Sequence, residues 1–286
     1  MTPEKLLHQW LERRLAVEAR DWLNQSLQRL RGAEGDADLF RLVSLVTRKL
    51  GKADLTPSAE ELREAEAARS GWDPRDWSLD QAGRILLLLA GGGRGETLVR
   101  RLDQLCATAD VGELVAFYMG LPLYPDPALH RLRAAEGLRS NMKAVFEAVS
   151  QRNPYPSEQL TDAAWNQLVL KSIFIGSPLH DVVGLDRRAN AELARMLCAT
   201  AHERWAAGRP VTPELWRCVG PYARGEMLAD LGRVLEKGTE PERAAAALAL
   251  ASSPDPAATG LLCAYPELSA AVNENKLSWQ SLAVPV

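Results

Sequence analysis

The sequence predicts an all-α protein, arranged as an irregular α-α superhelix of stacked helical hairpins of HEAT/armadillo character. Three observations carry that expectation. Polar residues stand before prolines at helix-start spacing along the chain: Thr2-Pro3-Glu4, Thr56-Pro57, Asp126-Pro127, Thr212-Pro213-Glu214 and, more loosely, Glu240-Pro241-Glu242. Proline loses nothing at the first helical position, because its missing N–H would have no intrahelical partner there. Glycines at Gly32, Gly51, Gly120, Gly208 and Gly238 close segments where left-handed C-caps are expected. Finally, alternating β-branched runs and Asn-Gly or Asp-Gly hairpin signals are missing.

Taken in order, residues 1–77 read as an N-terminal helical segment ending in a charged linker. Its stretch "EELREAEAARSGWDPRDWS", Glu60 to Ser78, reads as a hinge. Residues 78–272 read as a helical-repeat-like domain. It opens with Ser78-Leu79-Asp80-Gln81, a capping box in which Gln81 reaches back to the Ser78 amide. The apolar run Ile85 to Ala90 continues that helix, and Gly91 to Gly93 are its exit. Glu96 to Gly120 forms a helical pair, and Asn190 is placed as the N-cap of a helix through Arg204. Gly225 to Leu262 is the clearest hairpin, its small-residue run Ala244 to Ala251 permitting close helix approach. Residues 273–286 are a weakly helical tail whose end, "LAVPV", frays or docks. No strict repeat period is present, so the superhelix is irregular.

Hydrophobic residues at 47% and charged ones at 25% are ordinary for a soluble globular protein. A net charge of −3 supplies no basic field to hold nucleic acid. The N-terminus lacks the apolar core of a signal peptide, and Ile85 to Ala90 is too short to span a bilayer. The expected location is cytoplasmic. Cys106, Cys198, Cys218 and Cys263 are scattered without a C-x-x-C pair, so free thiols are expected rather than a structural zinc knot.

Four sets of residues invite a chemical reading. "LAGGGRGET" has the grammar of a phosphate loop, but Glu96 stands where the dinucleotide fingerprint needs glycine, and no lysine precedes Ser or Thr. His180-Asp181 and His202-Glu203 are ligand-type pairs. Adjacent helical residues point about 100° apart. The i+4 positions are Ala206 from His202 and Leu185 from Asp181, so chelating spacing is absent. His180, Asp181 and His202 remain only a weak metal alternative, and no G-x-S-x-G elbow supports a nucleophile. Arg204 falls beside Leu193 and Leu197 on the apolar face of its helix, where a guanidinium must find a carboxylate or a ligand anion.

The fourth set is "AAWNQLVLKSIFIGSPLHD", Ala163 to Asp181. On a helical wheel its apolar arc runs through Trp165, Leu168, Val169, Leu170, Ile173, Phe174 and Ile175, enclosing the helix on nearly all sides. Asn166 and Ser172 fall inside the arc and are read as internal hydrogen-bonded wiring. Gln167 and Lys171 share the one polar stripe, so they alone can face a groove.

Two strings in this region, "WNQLVLK" and "HERWAAGRPVTPELW", resemble the EboA family. The resemblance is strongest from Asp162 to Ala223 and looser from Ser78 to Gln151. The family takes its name from the bacterial ebo gene cluster, which also encodes a UbiA-like prenyltransferase, a TatD-like hydrolase, a sugar-phosphate isomerase-like protein and a dehydroquinate-synthase-like protein. The resemblance implies secondary metabolism, with the other cluster proteins or a small metabolite as partners, and it transfers no catalytic residue or cofactor. It also marks Trp165, Asn166, Lys171, His202, Arg204, Trp205 and Trp216 as surrounding a functional surface.

Three functions stay open. The first is a non-enzymatic helical scaffold or binding protein acting with the cluster proteins on a small metabolite, an isoprenoid-derived one among the candidates. The second is an all-α enzyme or carrier of the same pathway, its pocket lined by Trp165, Lys171, His202 and Trp205, with Gln167, Arg204 and Trp216 as the further candidate binding residues. The third is a His-Asp metal hydrolase.

Overall fold

The computed structural model describes residues 1–31 and 36–282. Among them every regular element is helical: sixteen α-helices and four short 3-10 turns, with a single isolated bridge between Asp54 and Ser78. The chain packs as two compact units, Met1–Leu160 and Thr161–Val286. The expectations for Gly32 and for the last four residues of "LAVPV" lie outside the described residues.

The first unit contains α1 (Pro3–Arg14), α2 (Val17–Arg31), α3 (Ala37–Leu50), α4 (Ala59–Ala68), α5 (Leu79–Gly91), α6 (Gly95–Thr108) and α7 (Val111–Met119). After two 3-10 turns, Leu121–Leu123 and Pro127–His130, come α8 (Arg131–Arg139), α9 (Lys143–Ser150) and α10 (Tyr155–Gln159). α5 is the hub, because α1, α2, α3 and α7 all pack on it. Its sequence explains this: Ile85 to Leu88 are buried all round, as in a helix enclosed by others. The capping box at its start is formed, with Gln81 Oε1 accepting from the Ser78 N–H at 2.9 Å, and Gly91 to Gly93 are the exit.

The stretch 60–78 is packed onto α1. Trp10, Trp72 and Trp77 are buried together, with ring centroids 5.4 Å and 5.9 Å apart along the row. Arg14 grips the buried Glu61 through both carboxylate oxygens and donates through Nε to the Leu55 carbonyl at 2.6 Å. A segment rich in charge is held down because its few tryptophans and one glutamate find partners on α1.

Three of the proline signals act differently from their sequence reading, and Thr212 is one: its side chain makes no capping hydrogen bond and only a 3-10 turn follows it. Thr56 does not cap α4. Ser58 does, with Glu61 completing its capping box, because a residue before proline is turned away from the helical region and Thr56 sits at φ 44°. Asp126, at φ 54°, caps no turn of its own; its Oδ2 accepts from the Gly95 N–H at 2.9 Å, at the start of α6. Thr2 caps α1 as expected. Gly51 and Gly208 take positive φ, whereas Gly120 and Gly238 close their helices with negative φ.

The second unit contains α11 (Asp162–Ile175), α12 (Ala191–Ala206), the 3-10 turns Pro213–Arg217 and Gly220–Tyr222, then α13 (Glu226–Lys237), α14 (Glu240–Ala251), α15 (Pro256–Cys263) and α16 (Pro266–Asn273). α14 is the centre here, packed by α13, α15, α16 and both 3-10 turns. Its alanines from Ala244 to Ala247 are buried, so neighbours come close to its backbone. Thr239, rather than Glu240, is its cap, with Glu242 accepting from the Thr239 N–H at 2.7 Å. Among the described residues no helix is long and apolar enough to cross a membrane.

Candidate functional site

The candidate residues all lie in the second unit. α11 begins at Thr161, whose hydroxyl accepts from Ala164, and ends at Gly176 in the left-handed region, φ 70°. The Ser177 N–H then returns to the Ser172 carbonyl at 2.8 Å, which turns the chain sharply into Pro178. Trp165, Leu168, Val169 and Ile173 are buried as the wheel requires. Phe174 is the exception. Placed inside the apolar arc by its angle, it stands 81% exposed, because nothing among the described residues covers that edge of the last turn.

Asn166 and Ser172 are internal wiring. The Ser172 hydroxyl donates to the Leu168 carbonyl at 3.0 Å within its own helix. Asn166 exchanges amide hydrogen bonds with Asn190, at 2.9 Å and 3.3 Å, while Asn190 Oδ1 also accepts from the Leu193 N–H at 2.8 Å. One asparagine therefore caps α12 and ties it to α11. Asn190→Ala is expected to cost about 1–3 kcal/mol, since it removes a cap and strands a buried amide. Asn190→Ser keeps a capping oxygen and should recover part of that loss. Denaturant midpoints of the two variants check this.

Of the seven proposed binding residues, three come together. His202 lies 5.7 Å from Trp205 and Trp205 lies 5.9 Å from Trp216 between ring centroids. Arg233 of α13, unmarked in the sequence, places its guanidinium 4.2 Å from the centre of the Trp205 ring. The exposed imidazole of His202 bonds Asp230 at 2.7 Å. Trp216 is fully buried and its indole N–H has no hydrogen-bond partner. Trp205 is half-buried, its ring already stacked by an indole and a guanidinium.

The others are placed separately. Trp165 is buried, with the Arg188 guanidinium 5.0 Å from its ring centre. Gln167 is exposed on α11. Lys171 is half-buried, and burial lowers its pKa from the ordinary lysine value. Arg204 is half-buried rather than enclosed. Its Nε donates to the Pro210 carbonyl at 2.6 Å, closing the turn after α12.

The metal alternative does not assemble. His180 pairs with Glu214 and His202 with Asp230, and among the described residues no group of three or more His, Cys, Asp or Glu side chains is placed to hold an ion. Burial, aided by Asp230, pushes the Cys198 thiol up to about 12, and burial with Asp186 does the same for Cys218.

A cleft of about 190 Å³ opens at the exit of α11, lined by none of the seven proposed binding residues but by His180 of the metal alternative. Ile173, Pro178, Leu179 and Pro213 give it apolar walls, and His180 and Glu214 give it a polar edge. Glu214 Oε2 accepts from the Leu179 N–H at 2.9 Å, and Oε1 faces His180 Nδ1 at 3.0 Å. The carboxylate thus pins the 177–180 loop to the 213–217 turn. The sequence showed His180 only as half of a dipeptide, and Glu214 only as a helix-start residue; their meeting across 34 positions has no local signal.

Searches of curated proteins and of solved structures find no match to this chain. A family model described as "Metabolite traffic protein EboA" matches residues 3–220, spanning the first unit and the cleft-forming elements through residue 214. The chain belongs to the EboA family.

Proposed function

We propose that this protein is a non-enzymatic binding protein that takes up a small metabolite and works with other proteins of the ebo cluster in its biosynthesis or export. The observation that carries the reading is the cleft at the exit of α11: a mainly apolar cleft with the His180–Glu214 pair at its edge and Ser177 and Thr212 also lining it, the composition of a small-molecule site. The description of the family as metabolite traffic proteins supports it. An isoprenoid-derived compound is one candidate cargo for such walls.

The partner surface in this reading is the edge formed by His202, Trp205 and Arg233, with Arg204, Gln167 and Lys171 as its outlying members. Aromatic residues and arginine are the side chains that carry most interface energy. The consecutive packing of α13, α14, α15 and α16 supports hairpins stacked into a superhelix around that edge.

Co-expression with the cluster proteins, followed by pull-down and native mass spectrometry, tests the proposal. A retained partner or a bound small molecule is expected. Turnover of a pathway intermediate by the pure protein, with neither partner nor cargo retained, would sink it.

A further inference from the structure

Glu214 and the size of the cleft together narrow what the site can hold, on the reading that this protein binds a metabolite. An engineered apolar cavity of about 150 Å³ accepts benzene. The α11 cleft, at about 190 Å³, has room for a group of that size with one or two further atoms.

The polar edge selects the substituent. A carboxylate can only accept, so the 3.0 Å contact between Glu214 Oε1 and His180 Nδ1 places the proton on Nδ1. The second carboxylate oxygen is held by the Leu179 N–H at 2.9 Å, which fixes Glu214 and through it the imidazole plane. In the neutral ring Nε2 is then a lone-pair acceptor on the opposite side of the ring from Glu214. An acceptor standing beside apolar walls rewards an O–H donor and leaves an ether or a hydrocarbon without a partner.

We infer that the cleft binds a ring-sized apolar group bearing one hydroxyl, with the group against Ile173, Pro178 and Leu179 and the hydroxyl donating to His180 Nε2. His180 is the recognition residue and Glu214 its positioning residue. The discrimination arises from unmet hydrogen bonding rather than from shape, since adding a methyl to the hydroxyl removes the donor while adding little volume.

Fluorine NMR of the full chain with 4-fluorophenol and 4-fluoroanisole tests the assignment. 4-Fluorophenol is expected to bind about fivefold more tightly, the usual yield of one hydrogen bond. His180→Phe should abolish that preference while retaining binding of the anisole. Glu214→Gln should reduce the preference, because the amide can present N–H to Nδ1 and release the tautomer. Leu179→Trp should remove binding of both probes by filling the cleft. Thr212→Trp, at another lining residue whose side chain caps nothing, serves if Leu179→Trp fails to fold.

Equal binding of the two probes by the native chain, saturable binding of neither, or a preference that survives His180→Phe would each overturn the assignment. The broader binding-protein reading is separable. A sample that fails with these probes yet retains a cluster partner or a co-purified small molecule keeps that reading and loses only this one.

Discussion

Arg84→Ala is expected to destabilise the first unit by about 3–5 kcal/mol, the cost of leaving a buried charge without its partner. Arg84 is 3% exposed in the middle of the apolar helix α5. Its Nη1 donates to Asp80 Oδ2 at 2.9 Å, its Nη2 to the Thr47 hydroxyl at 2.8 Å, and Glu113 lies 3.5 Å away. Asp80, 5% exposed, also accepts from Thr47 at 2.8 Å and Ser78 at 2.6 Å. Removing the guanidinium strands this carboxylate in the core. The double variant Asp80→Leu with Arg84→Met should recover most of the loss, because an apolar pair of similar volume has no desolvation cost to offset. Denaturant unfolding measures both, and hydrogen exchange should place the lost protection within residues 1–160.

The same network fixes the sign of an acid effect. Burial raises the Asp80 pKa, but hydrogen bonds from Ser78, Thr47 and Arg84 outweigh it and hold the carboxyl below its ordinary 3.8. A folded-state value below the unfolded one stabilises the protein fully above that unfolded value. This contribution is lost as pH falls below 3.8 through the folded value. Arg84→Ala should therefore weaken the dependence of stability on pH in that acid range.

Trp216→Ala is the second large effect, also about 3–5 kcal/mol. Trp216 is fully buried in the 213–217 turn, where it stacks against Trp205 and lies beneath α14's packing surface. The turn also carries Glu214, so loss of its anchor is expected to loosen the cleft as well as the core. Trp205→Ala, at a half-buried ring, should cost roughly 1–2 kcal/mol from the lost stacking and guanidinium contact. Comparable losses for the two would show that the stack, rather than burial, holds the turn. Hydrogen exchange across residues 161–282 reads the difference.

Helical content was legible because it is written locally. A capping box such as Ser78 to Gln81 needs only four residues, and the arc containing Trp165, Leu168, Val169 and Ile173 needs only the 100° step of a helix. Asn166 was read correctly as wiring for the same reason: a polar residue inside an apolar arc must be satisfied internally, and Asn190 satisfies it. The misreadings share the opposite cause. Thr56 lost its cap to Ser58 through one competing neighbour, whereas the packing of the 60–78 stretch had no local signal because its partners, Trp10 and Arg14, lie 47 to 62 residues upstream. Arg204 sat at an angle that suggested burial, but the chain folds back and offers it the Pro210 carbonyl.

The sequence by itself determined the helical class, the starts of several helices, the wiring role of Asn166 and Ser172, and the family resemblance. Tertiary structure alone decided which helices became hubs, where the cleft opened and which charges met. Glu214 reaches His180 across the 213–217 turn, Arg233 reaches Trp205 from the next helix, and Arg84 collects Thr47 and Glu113 from two others. Such meetings depend on distances in space between residues 28 to 37 positions apart, and helical periodicity correlates only residues within a few turns.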